Sequence, residues 1–295
     1  NKNLAAFYFK KAMKKGNLNS MMMYANMLYH GDIISKNKAE AAKLYYKLAK
    51  KGNINAAYNY AIIVLKKEIN IGLRSKKKRK EKIEKAVEFM KMSADGGNDE
   101  AIFEYADMLL KGREVAKNKE EAAKYYKILA DKNNSIAALN YAVLLLNGKK
   151  SYIKKQEAAK YMKKAADIGE VDAKYNFGMM LFHGDGVKRD LFKSKKYIKE
   201  AAEKGLQIAI DFLENHFKNS FKENVHTIDE EDENDDDSLN EEDENDDDNL
   251  NEEVENDDDL NEEEAYSYIL PLSESTNIET FEEDSELNSS FDSSN

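Results

Sequence analysis

Few residues in this sequence are placed to do chemistry. An imidazole and a carboxylate stand together twice, in His30-Gly31-Asp32 and His183-Gly184-Asp185. Zinc coordination or acid–base catalysis would draw on such a pairing, but both need further convergent groups. Neither His has a second ligand nearby in sequence, so both read as turn residues. The chain has no Cys, which excludes a disulfide framework, thiolate zinc sites and a cysteine nucleophile. Three acidic near-repeats, EEDENDDDSLN, EEDENDDDNLN and EEVENDDDLN, crowd carboxylates together yet lack the glycine at the sixth position of an EF-hand loop. Weak cation binding rather than a defined calcium site is expected there. Ser238 and Ser289 lie among acids in the manner of acidophilic kinase sites. No catalytic constellation emerges, and no motif calls for a cofactor or a metal, so the chain reads as non-catalytic.

The charge distribution divides the chain. Of 57 acidic residues, 31 lie from Asp229 onward, where none of the 46 basic residues is found. A body with a net charge near +20 therefore precedes a tail near −31. The tail is too charged and too poor in apolar residues to offset the entropy of folding, so it is expected to be disordered. Within it, Tyr266-Ser267-Tyr268-Ile269-Leu270-Pro271-Leu272 is a small apolar island with the character of a short docking motif. No apolar run approaches the roughly 18 residues that would cross a bilayer. The expected domains are a folded body over 1–218, a linker over 219–228 and the acidic tail over 229–295.

The elements that position any binding surface show up as a period. Gly16, Gly52, Gly97, Asn133, Gly169 and Gly205 fall in one column, with spacings of 36, 45, 36, 36 and 36 residues; the long interval marks a nine-residue insertion. Four, eight and twelve residues after each column position stand small, aromatic and aliphatic residues in turn, for example Ala137, Tyr141 and Leu145, which make one helical stripe. A second helix carries Ala5, Ala41, Ala86, Ala122 and Ala158, each followed three residues on by an aromatic or Leu. The column residue closes this second helix in the left-handed conformation. Asn37-x-x-Glu40 and Asn118-x-x-Glu121 open it as capping boxes, with Asp190 in the same column. The single proline, Pro271, lies beyond every one of these helices.

At this point the sequence resembles the Sel-1-like repeats, whose pattern runs roughly A-x-x-x-L-G-x-x-Y-x-x-G-x-G-V-x-x-D and then A-x-x-W/Y-Y-x-x-A-A-x-x-G. Residues 173–205 match it best, reading AKYNFGMMLFHGDGVKRD followed by SKKYIKEAAEKG. The resemblance covers about residues 1–218. It departs from the pattern after Gly148, where the turn sequence is lost, and in the second repeat, which carries the insertion. The period of 36 and the G-D-G-V turn separate it from tetratricopeptide repeats, which run at 34. The resemblance implies an all-α fold, a right-handed α/α superhelix or solenoid of about five and a half 36-residue helix pairs, followed by the disordered acidic tail. It also implies a protein-interaction scaffold or adaptor. The first helix lacks its partner, so the chain is expected to be a fragment with further repeats or another domain before it. A regulatory arm of a larger signalling protein, for example a protein kinase, is the alternative.

Helical angle places the binding surface. At about 100° per residue the stripe at offsets 4, 8 and 12 centres near 80°, while offsets 7 and 10 fall on the other side. The groove expected there is formed by Met23, Asn59, Glu104, Asn140 and Asn176 at offset 7, with Ile62, Val143 and Met179 at offset 10. The three Asn form a ladder whose amides suit an extended peptide's backbone, and the apolar residues suit its side chains. The competing reading is packing against the next repeat. The insertion ends in Lys76-Lys77-Lys78-Arg79-Lys80, read as a basic loop that is either solvated or resembles a nuclear import signal. It has no interleaved aromatics for base stacking, so sequence-specific nucleic-acid binding is not expected. The partners expected are proteins or peptides. The acidic tail is expected to lie over the basic solenoid and compete with acidic partners. The compartment is left open, with the cytoplasm favoured and the nucleus as the alternative if the basic loop acts as an import signal.

Overall fold

The computed structural model describes residues 2–69, 76–147, 152–217 and 269–270. Among them are twelve α-helices and no strand. They are α1 (Lys2–Lys14), α2 (Leu18–His30), α3 (Lys38–Ala49), α4 (Ile54–Leu65), α5 (Lys76–Asp95), α6 (Asp99–Lys111), α7 (Lys119–Asp131), α8 (Ser135–Leu146), α9 (Tyr152–Ile168), α10 (Val171–His183), α11 (Leu191–Glu203) and α12 (Gln207–Phe217). Each helix packs chiefly on the one before it and the one after it. The chain is thus a stack of helix pairs with a lone helix at each end, as the period predicts. The expected linker and the acidic repeats, with Ser238 and Ser289, lie outside the described residues, as does the turn at Gly148.

The boundaries follow from local chemistry. Every column residue has a positive φ, including Asn133 at 66°, the residue type that best tolerates that conformation after glycine. The next residue in the chain then starts the first helix of the following pair. Asn17, Asn53, Asn98 and Asn134 each accept a backbone N–H from three residues on, all at 2.8 Å. Asn37, Asn118 and Asp190 cap the second helices α3, α7 and α11 in the same way. Glu170 stands where the fifth such Asn would be and makes no cap bond.

Pairs stack through small residues and aromatic staples. Ala25, Ala61, Ala106 and Ala142 are completely buried, and a single apolar cluster runs from α2 to α10. A smaller cluster of Tyr175, Met179, Ile198, Ala201 and Ala209 closes the C-terminal end, with Phe212 of α12 packed on it. Successive second helices are tied by a recurring contact. Tyr125, Tyr161 and Tyr197 donate to the carboxylates of Asp95, Asp131 and Asp167 at 2.6, 2.5 and 2.8 Å. Each of these Tyr rings also meets a first-helix ring edge-on, at centroid distances of 5.2, 4.9 and 5.0 Å. Burial and the Asp95 carboxylate push the Tyr125 hydroxyl up to about 12, so it stays a proton donor.

The structure corrects the reading of the insertion. Lys76, Lys77, Lys78, Arg79 and Lys80 are not a loop but the exposed first turns of α5, a helix of 20 residues. Lys and Arg are good helix formers, and Lys80 pairs with Glu84 one turn on at 3.7 Å. Basic residues at a helix N-terminus oppose the macrodipole. The buried half of the same helix, Ala86, Phe89, Met90 and Ala94, offsets that cost.

Candidate protein-binding face

The first helices α2, α4, α6, α8 and α10 carry the offset-7 and offset-10 residues, and their exposure is graded along the stack. Met23 is 44% exposed, and Asn59, Ile62 and Glu104 are half-buried. Asn140, Val143, Asn176 and Met179 are only 4, 1, 0 and 3% exposed. The expectation of a solvated face therefore fails for the last two pairs. The angular argument allowed each first helix one buried stripe. In the stack every first helix from α2 to α10 lies against the helix before it and the helix after it, so two faces are covered on each, and Asp107 of α6 at offset 10 is buried as well.

The same positions form polar layers. Tyr45, buried in α3, donates its hydroxyl to Asn26 Oδ1 at 2.8 Å, with Asn59 as a further hydrogen-bonding partner. Tyr126, two units on in α7, lies among Asp107, Asn140 and Arg113. Burial raises both hydroxyls well above the ordinary tyrosine value and keeps them protonated. Asp107 is itself held by Lys111 at 2.9 Å and by Arg113. Each layer thus places a second-helix residue between offset 10 of the preceding first helix and offset 7 of the following one. In the other layers the central residue is Met90, Met162 or Ile198, which has no hydroxyl to offer.

Loss of the hydroxyl changes what the offset-7 side chain must do. Glu104, beyond Met90, reaches Lys66 at 3.1 Å. Asn176, beyond Met162, is fully buried, and its Oδ1 accepts the backbone N–H of Leu270 at 2.8 Å. Its Nδ2 has no hydrogen-bond partner, and neither has Asn140 Oδ1. Ile269 packs on the main apolar cluster and Leu270 on the C-terminal one, both half-buried. Sequence reasoning singled out both Asn176 and the apolar island but did not join them. It missed Tyr45 and Tyr126 altogether, although both stand seven residues before a column position.

The other candidates are placed as follows. His30 and His183 end α2 and α10 and stand edge-on to Tyr29 and Phe182, at 5.1 and 5.2 Å. Among the described residues no three His, Asp or Glu side chains gather as a metal site would need. No helix among them is long and apolar enough to cross a membrane.

Comparison with known proteins yields one family. The Sel1 repeat profile matches residues 1–17, 18–53, 55–98, 99–134, 135–170 and 171–206. Among solved structures, the chain is similar to a protective antigen present in uropathogenic Escherichia coli strains and described as displaying an SLR fold. That match has 27% identity and a TM-score of 0.55 over 71% of this chain. It spans only 43% of the antigen's length. A Sel1 repeat protein from Oxalobacter formigenes matches 72% of this chain and 83% of its own, at 22% identity and a TM-score of 0.51. No curated protein matches.

Proposed function

Because the chain belongs to the Sel1 repeat family, whose helical repeats generally serve as protein-interaction scaffolds, we propose that it is a non-catalytic adaptor that holds an extended partner segment along its first helices. One observation carries this reading: a first-helix side chain, Asn176, accepts a backbone N–H from a segment outside the repeats. An amide that offers both a donor and an acceptor suits any peptide backbone, and neighbouring apolar side chains then select the sequence. The accessible part of the row runs through Met23, Asn59 and Ile62, so a partner enters at that end and meets buried ground at α8. Stacked pairs supply such a surface because each contacts only its neighbours and leaves one continuous strip.

Panning random dodecapeptides on the full chain tests this. Selected peptides should lose about tenfold or more in affinity with Met23→Ala or Asn59→Ala, and none with Lys160→Ala, an exposed second-helix residue. Binders indifferent to Met23 and Asn59 would place the interaction elsewhere and end the proposal.

A further inference from the structure

We propose that the C-terminal end of this row, at Asn176 and Met179, is a recognition site for an extended peptide bearing two adjacent apolar residues before a proline, and that the chain's own Ile269-Leu270 is its resident occupant. The inference rests on the peptide-scaffold reading above and names the ligand class of one part of that surface.

Asn176 is the reason the site needs a ligand. A buried amide without partners is costly, and in the layers centred on Tyr45 and Tyr126 a tyrosine hydroxyl lies beside the equivalent Asn. Met162 occupies that central position before α10 and cannot do the same. The bond to Leu270 N–H fills the acceptor side of the amide, while Nδ2 is left to donate to a peptide carbonyl. The bond spans 94 residues of sequence, so it belongs to no helix, turn or cap.

The apolar contacts set the specificity. Ile269 and Leu270 each address a different cluster, Leu270 the one that contains Tyr175 and Met179. Residues 266–272, Tyr-Ser-Tyr-Ile-Leu-Pro-Leu, carry no charge within an otherwise strongly acidic region, so burying this stretch desolvates no carboxylate. Pro271 disfavours the helical region for Leu270 and so prepares it for extended docking. The basic body attracts the acidic flanks at longer range, which guides the segment without choosing its register.

Covalent attachment makes this docking intramolecular. For a chain able to span the sites the effective concentration is of order millimolar, so an outside peptide of the same type must compete with the resident one. The test uses full-length protein and a fluorescein-labelled peptide with the sequence of residues 264–274, read by polarisation. The Ile269→Asp/Leu270→Asp chain should bind the peptide about tenfold or more tighter than the unaltered chain. Adding Asn176→Ala should abolish that gain while circular dichroism keeps its helical signal. Independently of any substitution, amide exchange at Ile269 and Leu270 in the unaltered chain should be slowed relative to residues 280–290. Equal affinity for the two chains, or equal exchange in the two segments, would overturn the inference. If dodecapeptides that depend on Met23 and Asn59 still bind in that event, the scaffold reading survives and only the assigned occupant is lost.

Discussion

The tyrosine–aspartate staple can be moved. In three successive layers the ring eight residues before the column position is Tyr, and the residue two before the preceding column position is Asp: Tyr125 with Asp95, Tyr161 with Asp131, and Tyr197 with Asp167. One layer earlier both are absent together, with Phe89 and Lys50 in their places. The ring geometry survives there, since Phe89 meets Tyr60 edge-on at 5.6 Å. Only the polar half of the staple is missing. Removing it elsewhere gives the magnitude. Tyr161→Phe deletes a hydroxyl bonded to Asp131 at 2.5 Å and to Lys127 at 2.9 Å but keeps its ring against Tyr141. A hydrogen bond to a charged group is worth about 1.5–3 kcal/mol. Asp131 is exposed, so solvent competes and a value below that range, about 1 kcal/mol, is expected. Phe89→Tyr alone sets a nearly buried hydroxyl opposite a cation and should be neutral or destabilising. Combined with Lys50→Asp it should gain about 1 kcal/mol of coupling over the sum of the single changes. Urea unfolding of the four proteins in the cycle measures this. Coupling below about 0.3 kcal/mol, the usual error of additivity, would show that the Tyr–Asp contacts follow from the stacking rather than help hold it.

Two further outcomes are expected. Gly178 stands where the other first helices have Ala, and a Cβ there would come within 2.5 Å of Ile198 Cγ1. Overpacking of this kind costs about 1–3 kcal/mol, which exceeds the helix-propensity gain of about 1 kcal/mol, so Gly178→Ala should lower the urea midpoint; a raised midpoint would mean that α11 moves aside freely. The Glu157 carboxyl is held below its usual range by the Lys127 ammonium first and the Tyr141 hydroxyl second, against burial. A depressed folded value stabilises above the unfolded value of about 4.3 and is lost as pH falls through the folded one. The stability difference between the unaltered chain and Glu157→Gln should therefore narrow from pH 6 to pH 3, and a constant difference would remove Glu157 from the account.

Some of this could be read from sequence because it is local. A left-handed residue at a helix end and an Asn or Asp at a helix start are decided within four residues, so the column from Gly16 to Gly205 and the caps at Asn37, Asn118 and Asp190 appear where expected. The caps at Asn17, Asn53, Asn98 and Asn134 carry the same signal but went unread, because each follows directly on a turn residue. The basic run 76–80 was misread because charge density marks solvation in a loop and on a helix equally, and only packing of Phe89 and Met90 further along tells them apart. The burial of Asn140 and Asn176 could not be read from one helix at all. Every first helix has a second neighbour against its far side, which angular periodicity within a single helix does not report, and at Asn176 the Leu270 segment adds to it.

The alternation inside the period is what turns a repetitive stack into a particular binding surface. Where the central residue is Tyr45 or Tyr126, offset 10 of the preceding helix is Asn26 or Asp107, and the tyrosine hydroxyl lies among polar side chains, bonded to Asn26 in the first layer and beside Asp107 and Asn140 in the second. Where it is Met90, Met162 or Ile198, offset 10 is Ile62, Val143 or Met179, and the layer closes through apolar contact instead. Offset 7 does not follow this switch in α6 or in α10, since it is Glu104 beyond Met90 and Asn176 beyond Met162. A polar group in an apolar layer must look outside it, as Glu104 does to Lys66 and Asn176 to Leu270. Asn176 thus keeps hydrogen-bonding capacity for another chain, as does the Oδ1 of Asn140, which the Tyr126 layer leaves without a partner.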